Sequence, residues 1–147
     1  MKKLLVVPAL ALFSGIVFAG PCDVTVKGND AMQYDVKTIT VPKTCKNFTV
    51  NLVHSGKQTK AAMGHNWILA ETKDVNAIAK DGLKAGLAKD YEKPNDKRVL
   101  ARTKMIGGGE KTSVTFAVSA LKEGQAYTYF CTFPGHASVM RGTLTVK

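Results

Sequence analysis

The sequence predicts an all-β domain, a β-sandwich with one short helical insert near residues 74-87. Three observations lead there. Short runs alternate polar and apolar residues with a period of two, as half-buried strands do. Clusters such as Gly28-Asn29-Asp30, Pro94-Asn95-Asp96 and Gly107-Gly108-Gly109 punctuate those runs with turn chemistry. Only one stretch spaces its apolar residues as a helix would.

The chain opens with Lys2-Lys3, an apolar run from Leu4 to Ala11, and small residues ending at Val17-Phe18-Ala19. A charged start, a short apolar centre and a small-residue cut site describe a secretory signal peptide over residues 1-19. The apolar run is too short for a membrane span, so no stable membrane insertion is expected. Residues 20-147 then form one domain, within the usual range of about 100–200 residues for a single core. No repeat, low-complexity tract or linker divides them.

Asp23 to Lys27 alternates and stops at the Gly28-Asn29-Asp30 turn. Thr38 to Val41 stops at Pro42, which cannot donate to a ladder. In Asn47 to His54, the residues Phe48, Val50, Leu52 and His54 share one register. His54 therefore faces the core and needs only a hydrogen-bond partner. Asn66 to Ala70 is a strand whose Trp67 shares a face with Leu69 and anchors the core. Asp74 is placed to cap a helix through Val75, Ile78, Ala79 and Leu83, which Gly82 and Gly86 keep short and on the outside of the sheets. Val99 to Ala101 follows as a strand. The three glycines at 107–109 are not a phosphate loop, because no helix follows; they make a hairpin-type connection into Thr112 to Val118. Tyr127 to Phe130 and Gly142 to Val146 complete the set.

The chain carries 21 Lys+Arg against 11 Asp+Glu, a formal charge of +10 that includes Lys2 and Lys3 of the leader. The lysines are scattered and lack interleaved aromatics, so nucleic acid is not the expected partner. A basic, solvated surface biases encounters toward acidic partners instead. Three cysteines, Cys22, Cys45 and Cys131, leave one unpaired in an oxidising compartment, and a leftover thiol requires a reason.

Cys131, His136 and Met140 supply that reason. They fall in the pattern Cys-x4-His-x3-Met between two strand-like runs. A thiolate, an imidazole and a thioether in one short loop suit copper better than calcium, magnesium or structural zinc. A trigonal His2Cys set lacks one imidazole, and Gly64-His65-Asn66 can contribute it. Zinc can occupy the same donors. Two other classes use the same residues: a thiol nucleophile with His136 or His65 as base, and a copper-delivery protein. The first leaves Met140 and the second histidine idle; the second favours exposed ligands.

The segments Met63-Gly64-His65-Asn66-Trp67 and Cys131-Thr132-Phe133-Pro134-Gly135-His136 resemble the azurins of the blue-copper cupredoxin family. The likeness continues through Gly28-Asn29-Asp30, Thr49 to Leu52, Lys89-Asp90-Tyr91 and Gly142 to Thr145, nearly all of the chain after the leader. It implies a cupredoxin Greek key and one copper ion cycling between Cu(II) and Cu(I). The implied ligands are His65, Cys131 and His136, with Met140 as a weak axial ligand and the Gly64 carbonyl as a second axial contact. Asn66 and the backbone near Phe133 would support them. With Cys131 on the metal, Cys22 and Cys45 are the natural disulfide, as the resemblance also implies. It implies further an electron carrier without enzyme activity in the periplasm of a Gram-negative bacterium. Such a carrier is a monomer making transient complexes with c-type cytochromes or a periplasmic reductase or dehydrogenase. Its contact patch would include Met32, Met63, Phe133, Gly135 and Val139. Arg102 stands where some azurins have a histidine.

Overall fold

The computed structural model describes residues 21–147; the leader expected at residues 1–19 lies outside the described residues. Among the described residues nine strands and two α-helices follow in chain order: β1 (Asp23–Asn29), β2 (Gln33–Tyr34), β3 (Thr38–Val41), β4 (Asn47–His54), α1 (Lys60–Met63), β5 (Ile68–Glu71), α2 (Val75–Ala85), β6 (Val99–Arg102), β7 (Lys111–Ala117), β8 (Tyr127–Phe130) and β9 (Arg141–Val146). They form a four-stranded sheet, β2-β1-β4-β7, and a five-stranded sheet, β3-β9-β8-β5-β6. Neighbours in each sheet are mostly distant in sequence, which makes this the Greek-key β-sandwich expected. β1 runs parallel to β4, and β3 parallel to β9.

Alternation along the strands sends one face of each sheet inward. On β4, Phe48, Val50, Leu52 and His54 are buried while the residues between them are not. Phe48, Val50 and Leu52 join Trp67, Leu69, Tyr129 and Leu144 in a single core. Trp67 is fully buried, stacked on Tyr129 at 5.5 Å and on Phe116 at 6.3 Å. Each such side chain contributes on the order of 1.5–3 kcal/mol by leaving water. The Cys22–Cys45 disulfide ties the start of β1 to the start of β4 across a separation of 23 residues. In the chain-entropy model a loop of that size is worth about 3 kcal/mol.

Three details depart from the sequence expectation. Gly107-Gly108-Gly109 is not a hairpin connection: β6 pairs with β5 and β7 with β4, so the segment carries the chain from one sheet to the other. β2 and the single turn α1 carried too few residues to show a period. Asp74 occupies the N-cap position of α2, but its side chain makes no capping hydrogen bond. The helix itself lies where expected, with Val75 and Ile78 packed on Ile68, Ala70 and Phe130 at the outer face of the larger sheet.

Candidate metal centre

β8 and β9 are adjacent antiparallel strands, and the loop between them carries the Cys-x4-His-x3-Met pattern. Cys131 and Met140 stand at its two ends, joined by a Cys131 N–H to Met140 carbonyl bond of 3.1 Å that extends the ladder beyond the strands. Inside the loop Gly135 adopts φ +82°, a left-handed conformation that glycine takes without strain. The chain then turns back through His136 N–H to Phe133 carbonyl at 2.9 Å and Met140 N–H to His136 carbonyl at 2.7 Å. Cys131, His136 and Met140 are consequently all turned inward and buried.

His65 reaches the same place from the far side of the sequence. It bridges Ile106 by two backbone bonds of 2.8 and 3.0 Å just before β5 begins. Its Nε2 bonds the backbone carbonyl of Asn29 at 2.9 Å. A carbonyl only accepts, so Nε2 carries the proton and Nδ1 is a bare lone pair. That Nδ1 is buried and has no hydrogen-bond partner. One donor atom each from His65, Cys131 and His136 lie within 4.8 Å of one another.

An unpartnered buried nitrogen beside a thiol and a second imidazole is the donor arrangement a soft-metal site requires, and these residue types fit copper. Electrostatics agree. Burial pushes the Cys131 thiol up to about 12, despite backbone N–H groups of Asn66 and Phe133 that favour its thiolate. Among the described residues no lysine or arginine favours that anion, so a metal cation is what can displace the proton. Burial also lowers His65, and pushes His136 down to about 4 with help from the neighbouring histidines. Both imidazoles are thus neutral, the form a metal takes. A buried thiol held in its protonated form is a poor nucleophile, which removes the support for the thiol-enzyme reading.

The remaining expected residues surround this cluster. The Gly64 carbonyl lies 3.7 Å from Cys131 Sγ, and His136 Nδ1 lies 3.5 Å from it. Asn66 Oδ1 accepts from Thr132 N–H at 2.9 Å, and its Nδ2 donates to Thr132 Oγ1 at 2.7 Å. Those bonds clamp the two ligand-bearing loops together. Outside, Val139 is 54% and Met32 37% exposed, and Gly135 is exposed, while Phe133 and Met63 are half-buried. Phe133 packs on His136 at 4.7 Å. Met32 belongs to the same turn as the His65 partner, because its N–H also bonds the Asn29 carbonyl, at 3.1 Å. Arg102 is exposed and pairs with Glu92. His54 stays off the donor cluster, its Nε2 on the Met63 carbonyl at 2.8 Å.

Two contributors had no signal of their own in the sequence. Asn29 acts through a backbone carbonyl, which every residue has. Thr132 is one threonine among many until Asn66 is seen opposite it.

Known proteins place the chain in context. The family model described as copper binding proteins, plastocyanin/azurin family, matches residues 20–147. Azurin from Pseudomonas aeruginosa is 54% identical over 147 residues, covering 100% of this chain and 99% of its own. Azurin from Alcaligenes faecalis is 58% identical over 123 residues, 84% of this chain and 96% of its own. The solved azurin Az-iso2 of Methylomonas sp. strain J superposes with a TM-score of 0.84 at 52% identity, over 87% of this chain and 99% of its own. With donor cluster, fold and sequence in agreement over the whole described chain, the protein belongs to the copper-binding plastocyanin/azurin family.

Proposed function

We propose that the protein is a periplasmic one-electron carrier of the blue-copper type, exported by residues 1–19 and turning over no substrate. The observation that carries this reading is the buried cluster of His65, Cys131 and His136, with His65 Nδ1 unpartnered. His65 Nδ1, His136 Nδ1 and Cys131 Sγ would hold the copper strongly, with Met140 and the Gly64 carbonyl as weaker ligands. Copper bound there supplies a Cu(II)/Cu(I) couple.

The chain contributes rigidity. Cys131 and Met140 are tied to paired strands, His65 to Ile106 and Asn29, and the two loops to each other through Asn66 and Thr132. Donors held this firmly favour one geometry for both oxidation states, so little rearrangement accompanies transfer. Burial excludes water from the thiol. Backbone N–H groups of Asn66 and Phe133 draw electron density from the sulfur and raise the potential.

His136 is the route for the electron, because it sits mid-loop between the exposed Pro134-Gly135 and Ser138-Val139 and is the least deeply buried of the three, 2% against 0% for His65 and Cys131. Around it Phe133, Gly135, Val139, Met32 and Met63 form an apolar contact patch for c-type cytochromes or a periplasmic reductase or dehydrogenase. Transient redox encounters need little buried area. The test is the visible spectrum of the mature protein after adding Cu(II) and then ascorbate. An intense orange-red absorption that bleaches on reduction is expected; a colourless protein with a freely reactive Cys131 overturns the reading.

A further inference from the structure

Gly28 contributes no donor atom, yet it touches two residues of the donor cluster. It sits in β1, paired with His54 on β4 and Tyr34 on β2, and is buried. A Cβ added to it would stand 2.7 Å from Met140 Cε, 2.8 Å from His65 Cδ2 and 3.4 Å from His65 Cγ. Contacts below about 3 Å force something to move.

The strand itself has little freedom to retreat. The Gly28 carbonyl accepts from Ser55 N–H at 2.7 Å and from Ser55 Oγ at 2.8 Å. The next carbonyl, that of Asn29, holds His65 Nε2 at 2.9 Å. The His65 ring is further pinned by its backbone bridge to Ile106 and by stacking on His54 at 4.2 Å. Met140 differs in kind. Its methyl is the end of a chain with three rotatable bonds, so it is the group that yields.

We propose that Gly28 is the positioning residue for the axial thioether: its bare Cα is the surface that Met140 rests against, and this sets how closely the sulfur approaches the metal. The inference rests on the reading of Met140 as a weak axial ligand. It adds a control element from the sheet that supplies no ligand. A strand residue there tunes the potential by its size, without altering the donor set.

The experiment compares copper-loaded wild type, Gly28→Ala, Met140→Leu and the double variant Gly28→Ala/Met140→Leu by reduction potential and visible spectrum. Gly28→Ala is expected to keep the intense absorption, because the thiolate and both imidazoles stay in place, and to shift the potential. In the Met140→Leu background the same change is expected to add no further shift, since leucine is one atom shorter than methionine and has no sulfur for the added Cβ to displace. An unchanged potential in Gly28→Ala, or an equal shift in both backgrounds, overturns the proposal. Met140→Leu alone tests the underlying reading: a potential it leaves unmoved removes Met140 from the metal and the proposal with it. If Gly28→Ala does not fold, Gly28→Ala/Met140→Ala decides. Recovered folding assigns the clash to Met140, and continued failure places it on His65 or β1 and overturns the proposal.

Discussion

The imidazoles of His54 and His65 stack face to face with centroids 4.2 Å apart, and they differ in what their nitrogens do. His54 has both nitrogens engaged, Nε2 on the Met63 carbonyl at 2.8 Å and Nδ1 accepting from Gly56 N–H at 3.1 Å. His65 has only Nε2 engaged, and its Nδ1 faces the sulfur of Cys131 and the ring of His136 without a partner. Two buried histidines in contact thus differ: one is hydrogen-bonded through both nitrogens and the other keeps a bare Nδ1.

The thiol is the donor whose loss is easiest to see. Cys131→Ser should abolish the intense visible absorption of the copper-loaded protein while leaving the far-UV circular dichroism of the sandwich intact. Strong colour remaining in that variant would remove Cys131 from the site.

His136 is only 2% exposed, although its loop lies at the surface. His136→Gly should therefore open a channel that small ligands can enter. Added imidazole should change the visible spectrum of the copper-loaded variant and leave wild type unaffected. No response to imidazole would mean that His136 is not a donor.

Asn66 and Thr132 form the clamp between the loops. Asn66→Ala strands the buried Thr132 N–H, at a cost of about 1–3 kcal/mol. Chemical denaturation should show that loss, and copper should leave the variant faster in the presence of a chelator. Wild-type stability and copper retention would show that the clamp is dispensable.

The metal-free protein should weaken in mild acid. His136 is held down to about 4 from the ordinary 6.5, chiefly by burial, and His65 is lowered for the same reason. The unfolded chain therefore binds more protons than the folded one between pH 6.5 and about 4, and stability falls as pH falls through that window. Thermal midpoints of the metal-free protein from pH 7 to 4 check this. A flat profile would contradict the burial of these rings.

Gly82 tests the packing of α2. Glycine to alanine within a helix normally stabilises by up to about 1 kcal/mol. Here a Cβ would stand 2.1 Å from the Tyr91 carbonyl oxygen, a backbone atom that cannot swing aside. Gly82→Ala should destabilise by about 1–3 kcal/mol instead. A stabilised variant would show that the segment around Tyr91 moves freely.

The amino-acid sequence by itself determined the sandwich and most of the donor set, for a physical reason. Period-two alternation in Asn47 to His54 is a local property, and so is the spacing of Cys131, His136 and Met140, because one short loop between adjacent strands must present them together. The tertiary structure alone decided what depends on distant segments meeting. Gly107-Gly108-Gly109 crosses between sheets because β6 and β7 find different partners, which no local pattern encodes. Strand register already turned His54 toward the core, but only the fold brings Gly56 N–H onto His54 Nδ1 and leaves His65 Nδ1 bare. Gly28 carries no chemistry to read, and its role follows from Met140 lying where its side chain would be.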